Sequence, residues 1–292
     1  MSVHRELEQE LIDVLDDVVA SCVDGECRDL DWDDIVHVSD FHVAEAQRCQ
    51  AKVAMPDEGF EPHIFNTFKT IALRSMQYVD RETSPTAAVS MYMRAERTNG
   101  AANDWIGTYL RSAGAAERVQ TASRAVTWLA RTIDVLETDD VSHMRWSQKV
   151  EWRFPGKGLR LNGKVDLVTG SASARVPHIV IPSRSAAHEA RVAFLALLWA
   201  LTNRSVPEHV VVLTHATGVR SRVAPEDLFH LGIEGARLAA LALAQQGRGP
   251  DGLSRTPSFF TCQECDWSND CAEWSAHQAA PPVRGGIRLV SP

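Results

Sequence analysis

Apolar residues recur at helical spacing from the start of the chain. Leu7, Leu11, Val14, Leu15, Val18 and Val19 fall on one face of a helix over residues 3–22, with acidic residues on the other. A second helix is expected to begin near Ser39 or Asp40, either of which can accept first-turn amide hydrogens, and to run past Cys49. Residues 62–136 read as mostly helical, with Ile64, Phe68, Ile71 and Ala72 on one stripe and a long Ala-rich segment from Ala115 to Leu136. Around Ser147 the period changes from helical to alternating. Lys149–Phe154 alternates polar and apolar, the Pro155–Gly158 turn leads into Arg160–Val168, and His178–Ile181 is a short buried-type run. A helix over Ala187–Leu201, a buried strand over His209–Leu213 and a helix over Pro225–Gln246 complete the pattern. A loop rich in Gly, Pro and Ser comes next, and from Pro281 a flexible tail is expected. Three strands, a helix and a strand between helical extensions predict an α/β fold with a mixed sheet flanked by helices.

Composition narrows the class. At 292 residues, 45% hydrophobic and 23% charged, the chain can bury a full core without external staples. No apolar run reaches the length of a membrane span, and the acidic start lacks a charged-then-apolar leader, so the expected location is the cytoplasm. Net charge is −8, which alone argues against a polyanionic partner. Its distribution changes that inference. The first 36 residues hold 12 Asp and Glu against Arg5 and Arg28, a balance of −10, so the remainder stands at +2 with local clusters of Arg. The chain therefore divides into an acidic helical segment (1–36), a body (37–278) and a tail (279–292), and the body can carry a basic groove. Arg175, Arg184, Arg191, Arg220 and Arg222 could line one, although scattered surface arginines are the commoner case.

The cysteines are the most informative feature. Cys262, Cys265 and Cys271 form a C-x2-C-x5-C cluster, and in a reducing compartment a metal centre takes priority over disulfides. Three thiolates leave a tetrahedral centre one ligand short. Cys49, Cys22 or Cys27 can supply the fourth, and thiolate donors suit zinc and iron–sulfur centres alike. Gly156-Lys157-Gly158 is too short for a phosphate loop and reads as a hairpin turn, while Phe259, Phe260, Trp267 and Trp274 are suited to shielding a cluster or packing a core more than to stacking bases.

A lone Cys after a Ser-started helix (SDFHVAEAQRC), paired with the distal C-x2-C-x5-C, resembles the iron staple of AddB-type nucleases in the RecB-like branch of the PD-(D/E)XK superfamily. The resemblance covers roughly residues 38–275. It implies a PD-(D/E)XK nuclease-like domain whose ends are tied by a [4Fe-4S] cluster on Cys49, Cys262, Cys265 and Cys271. One departure is Gln50-Ala51 after the first Cys, where the family has Pro followed by basic and aromatic residues.

The same resemblance points to a cutting site. Gly59–His63 matches the family's Gly-x3-His, and Gly163-Lys164-Val165-Asp166 matches its Gly-x-(Ile/Val)-Asp, which would give His63 and Asp166 roles in holding Mg or Mn. Glu151 is similar to a Glu on the preceding strand and equally suits a solvent-facing position. The next strand departs from the family pattern. Where the family ends that strand in a sequence like VIDYKTG, this chain has Val180-Ile181-Pro182-Ser183-Arg184-Ser185, so Pro182 replaces the second carboxylate and Arg184 the Lys. Magnesium needs hard oxygen ligands, which Pro lacks; Arg184 stays protonated but can clamp a phosphate. Ala190 and Phe194 stand where the following helix has Gln-x3-Tyr, and Glu189 is a candidate migrated carboxylate.

The resulting expectation is a DNA-binding protein with a degraded catalytic site, acting with a helicase or similar partner in repair, recombination or defence. Two alternatives stay open: an active metal-dependent DNA nuclease using Asp166 and His63, and a zinc- or iron-stapled scaffold for protein partners.

Overall fold

Local sequence decides where each helix starts and stops. The computed structural model describes residues 3–21, 36–54, 64–80, 82–99, 105–136, 145–171, 174–245 and 271–279, together with 253, 255 and 262. Helix α1 (Val3–Ser21) turns Leu7, Leu11, Leu15, Val18 and Val19 inward and leaves Glu6, Glu10, Asp13, Asp16 and Asp17 exposed. Strand β1 (Val36–Ser39) leads into α2 (Asp40–Arg48). Ser39 opens α2 by accepting the His42 amide hydrogen at 3.2 Å, and the His42 ring nitrogen lies 3.3 Å from the Ser39 amide in return. The helix does not run through Cys49 as expected. Cys49 is extended (φ −166°, ψ 111°) and separates α2 from the short α3 (Gln50–Val53).

Helices α4 (Ile64–Ser75), α5 (Pro85–Asn99), α6 (Trp105–Ser112) and α7 (Ala115–Val135) occupy the predicted helical region. They precede β2 (Arg145–Arg153), β3 (Leu159–Thr169), β4 (Val176–Ile181), α8 (Ala186–Asn203), β5 (Val210–Thr214), β6 (Val219–Val223), α9 (Glu226–Ala244) and α10 (Ala272–Ala279). The architecture is a mixed six-stranded sheet flanked by helices, in the order β1-β3-β4-β5-β6 with β2 paired to β3. Strand β3 runs antiparallel to β2 and β4 and parallel to β1; β4 is parallel to β5, and β6 closes the far edge antiparallel to β5.

Two apolar cores lie on the two faces of the sheet. On one face α1, α2, α8 and α9 bury Leu161, Val165, Ile179 and Val210; on the other, α4–α7 bury Leu167, Val180, Val211 and Leu213. The first is drawn tight by Gly232 of α9, where a Cβ would lie 2.6 Å from the Ala193 carbonyl oxygen of α8. Hydrogen at that position is what lets the two helices approach. Among the described residues no helix is long and apolar enough to cross a membrane.

Candidate functional site

The length of β3 creates the site. Its eleven residues serve two partners on one edge, Leu159–Asn162 beside β1 and Leu167–Thr169 beside β4, and the stretch 163–166 between them faces a fork. Opposite this point the β2–β3 ladder steps from Trp146↔Leu167 to Gln148↔Val165, and the skipped residue Ser147 has φ +46°. A non-glycine residue in that region marks a local distortion. Through it Val165 and Val168 both face the α8–α9 core while Leu167 faces the other. Gly163 makes room for Leu195 of α8, since a Cβ there would lie 2.5 Å from Leu195 Cδ2, while the start of α2 lies in ordinary contact at 3.5 Å.

Side chains take the backbone groups that a continued β3–β4 ladder would have paired. Asp166 Oδ2 accepts the Val180 amide hydrogen at 2.8 Å. The Val180 carbonyl accepts from Lys69 Nζ at 3.2 Å and from Arg191 Nη1 at 3.4 Å. Arg191 Nε donates to Asp40 Oδ2 at 2.8 Å, and Arg191 Nη1 lies 3.8 Å from Asp166 Oδ2. One guanidinium thus faces two carboxylates and a carbonyl. These are the hard oxygen donors that a divalent cation would use, and a side-chain cation stands among them.

Burial pushes the Lys69 ammonium below its ordinary pKa, with Asp166 opposing that shift. Burial also opposes the charge of Arg191, but Asp40 and Asp166 outweigh it and hold its pKa up. On the first turn of α8, His188 is lowered by burial against the pull of the Ser183 carbonyl, which its Nδ1 meets at 2.7 Å; Arg48, Arg191 and Lys69 lower it further. Within the fork the two cations Lys69 and Arg191 are balanced by the carboxylates of Asp40 and Asp166. A buried ion pair roughly breaks even in stability, so its effect lies in fixing the fork. Arginine stays protonated and cannot ionise water as a bound metal does, but it can pair with an anion.

The residues singled out in the sequence are dispersed unequally. Asp166 lies in the fork, 7% exposed. Arg184 is exposed and donates from Nη2 to Ser221 Oγ of β6 at 3.0 Å. Glu189 is exposed on the first turn of α8, and Pro182 directly follows β4. Glu151 pairs in register with Asn162, four positions from Asp166 along β3 and so about 13 Å away. Its carboxyl is held below the usual range by hydrogen bonds from Lys149 and Arg153, with Arg160 adding to them. Ala190 and Phe194 are fully buried. His63, Cys265, Cys22 and Cys27 lie outside the described residues.

No protein-family model and no curated protein matches the chain. Cys49, Cys262 and Cys271 are free thiols, Cys262 buried and the other two half-buried. Cys271 Sγ donates to Glu273 Oε2 at 3.5 Å. Among the described residues no group of three or more His, Cys, Asp and Glu side chains is gathered to hold a metal.

Lys69 was missed by pattern reading, and Asp40 and Arg191 were named for other reasons, Asp40 as a helix start and Arg191 as a groove arginine. Lys69 carried no signal. Arg191 did carry one: it is the last charge before the unbroken apolar run Val192–Leu201, and a charge on a buried helix needs a partner.

Proposed function

We propose that this protein is a nucleic-acid-binding relative of the RecB/AddB-type iron–sulfur nucleases in which side-chain cations have replaced the catalytic metal. It holds a strand without hydrolysing it and works beside a helicase or similar partner in DNA repair, recombination or defence. The observation that carries this reading is Arg191, whose guanidinium faces Asp40, Asp166 and the Val180 carbonyl, with Lys69 on the same carbonyl. The order of elements supports it: a strand with Glu151, a strand with Asp166, a strand ending before Pro182, then a helix with Ala190 and Phe194. Hydrolysis needs a metal ion that holds the attacking water, and two fixed cations in its place leave binding without cutting.

The same reading assigns a [4Fe-4S] staple to Cys49, Cys262, Cys265 and Cys271, with zinc as the alternative. The break at Cys49 supports it, because an extended residue between two helices frees its thiol from the helical repeat. One anaerobic preparation tests both parts. The wild type is expected to show a broad brown absorption band that Cys49→Ala loses, and to leave single- and double-stranded DNA intact across Mg and Mn. A colourless zinc protein would remove the staple, and metal-dependent degradation abolished by Asp166→Ala would replace this reading with that of an active nuclease.

A further inference from the structure

Alternation along β1, β2 and β3 sorts charge onto one face of the sheet. Val38, Val150, Trp152, Leu159 and Leu161 point into the α8–α9 core. Their neighbours point the other way: His37 pairs in register with Arg160, Arg160 with Arg153, Asn162 with Glu151, and Lys164 with Lys149. Lys149, Arg153 and Lys164 are exposed, and Arg160 is half-buried. Four cations therefore share this face with one carboxylate, on a chain whose net charge is −8.

That carboxylate is the hub of the group. Glu151 Oε2 meets Lys149 Nζ at 3.0 Å, and Glu151 Oε1 meets Arg153 Nε at 3.1 Å and Arg160 Nε at 3.5 Å. It orients three cations while neutralising only one charge. The face runs along β3 from Arg160 to Lys164 and stops two residues short of Asp166 in the fork. Residues on one face of a strand repeat every 6–7 Å or so, which makes a row of positive charge that ends at the site. Such a row matches a chain of phosphates in sign and form, and contacts to phosphates carry no sequence information.

We propose that this open face is the surface on which a nucleic-acid strand lies, its phosphates on Lys149, Arg153, Arg160 and Lys164 and its course leading to the fork. The inference rests on the binding function given above and names its surface. The test is fluorescence anisotropy of a labelled single-stranded oligonucleotide with the full chain, titrated in salt. Lys149→Ala/Lys164→Ala is expected to weaken binding about tenfold and to make the slope of log affinity against log salt shallower by about two. Glu151→Gln is expected to tighten binding several-fold, a direction that damage to the fold does not produce. If the wild type binds and neither variant changes affinity or slope, the surface is wrong and the binding function stands. If the wild type shows no salt-sensitive binding, both fall.

Discussion

Arg191→Ala is expected to lower folding stability by about 3–5 kcal/mol, the usual cost of leaving a buried charge without its partner. The substitution strips the shared cation from Asp40 Oδ2, Asp166 Oδ2 and the Val180 carbonyl at once. Lys69 stays on the carbonyl and does not replace the contact to Asp40. The three oxygens left behind are of the type that binds divalent metal, so millimolar Mn or Ca should raise the melting temperature of the variant and leave the wild type unchanged. Arg191→Lys should fall between the two, because a single ammonium keeps the charge but lacks the fork that reaches two acceptors. A loss below about 1 kcal/mol on the Arg191→Ala denaturation curve, with no response to metal, would mean that Arg191 does not stand in a cation position.

Acid should unfold the protein through His178. This residue is fully buried in β4, its Nε2 meets Thr169 Oγ1 at 2.8 Å, and its Nδ1 has no partner among the described residues. Burial, helped by Arg220 and His209, pushes its pKa down to about 3. In the unfolded chain the imidazole titrates near its ordinary value of about 6.5. Between those two values the unfolded state binds a proton that the native state refuses, so stability falls as pH drops from about 6.5 towards 3, by about 5 kcal/mol across the window. His178→Leu should remove that slope and cost about 1 kcal/mol at pH 7 through the lost Thr169 hydrogen bond. The stability-against-pH curves of the two proteins should cross between about pH 5 and 6, and near pH 3 the variant should be the more stable by about 4 kcal/mol. Parallel curves would place the acid sensitivity elsewhere.

The main helices and the central strands were legible because each carries a clean period. Leu7, Leu11, Leu15 and Val18 of α1 and the alternation of β2 and β3 fix which side is buried. The edge strands β1 and β6 were not legible. VHVS is four residues beside an acidic stretch, and VRSRV alternates valine with arginine as a charged edge does, so neither shows the apolar run of a central strand. The short α10 was missed as well, its eight residues holding no buried side chain. Of the site, Asp166 stood out through its motif. Its meeting with Asp40, Lys69 and Arg191 did not, because these come from α2, α4 and α8 and come together only where β1 and β4 part along β3. Such a meeting is a property of topology, and no spacing within one segment encodes it.

The most direct test of the central claim is oligonucleotide binding by the wild-type protein across salt concentrations, once in EDTA and once in magnesium. Fixed side-chain cations require affinity that falls steeply with salt, as displaced counterions dictate, and that is the same with and without the metal. Binding that appears only when magnesium is present, or no salt-sensitive binding at all, would contradict the account.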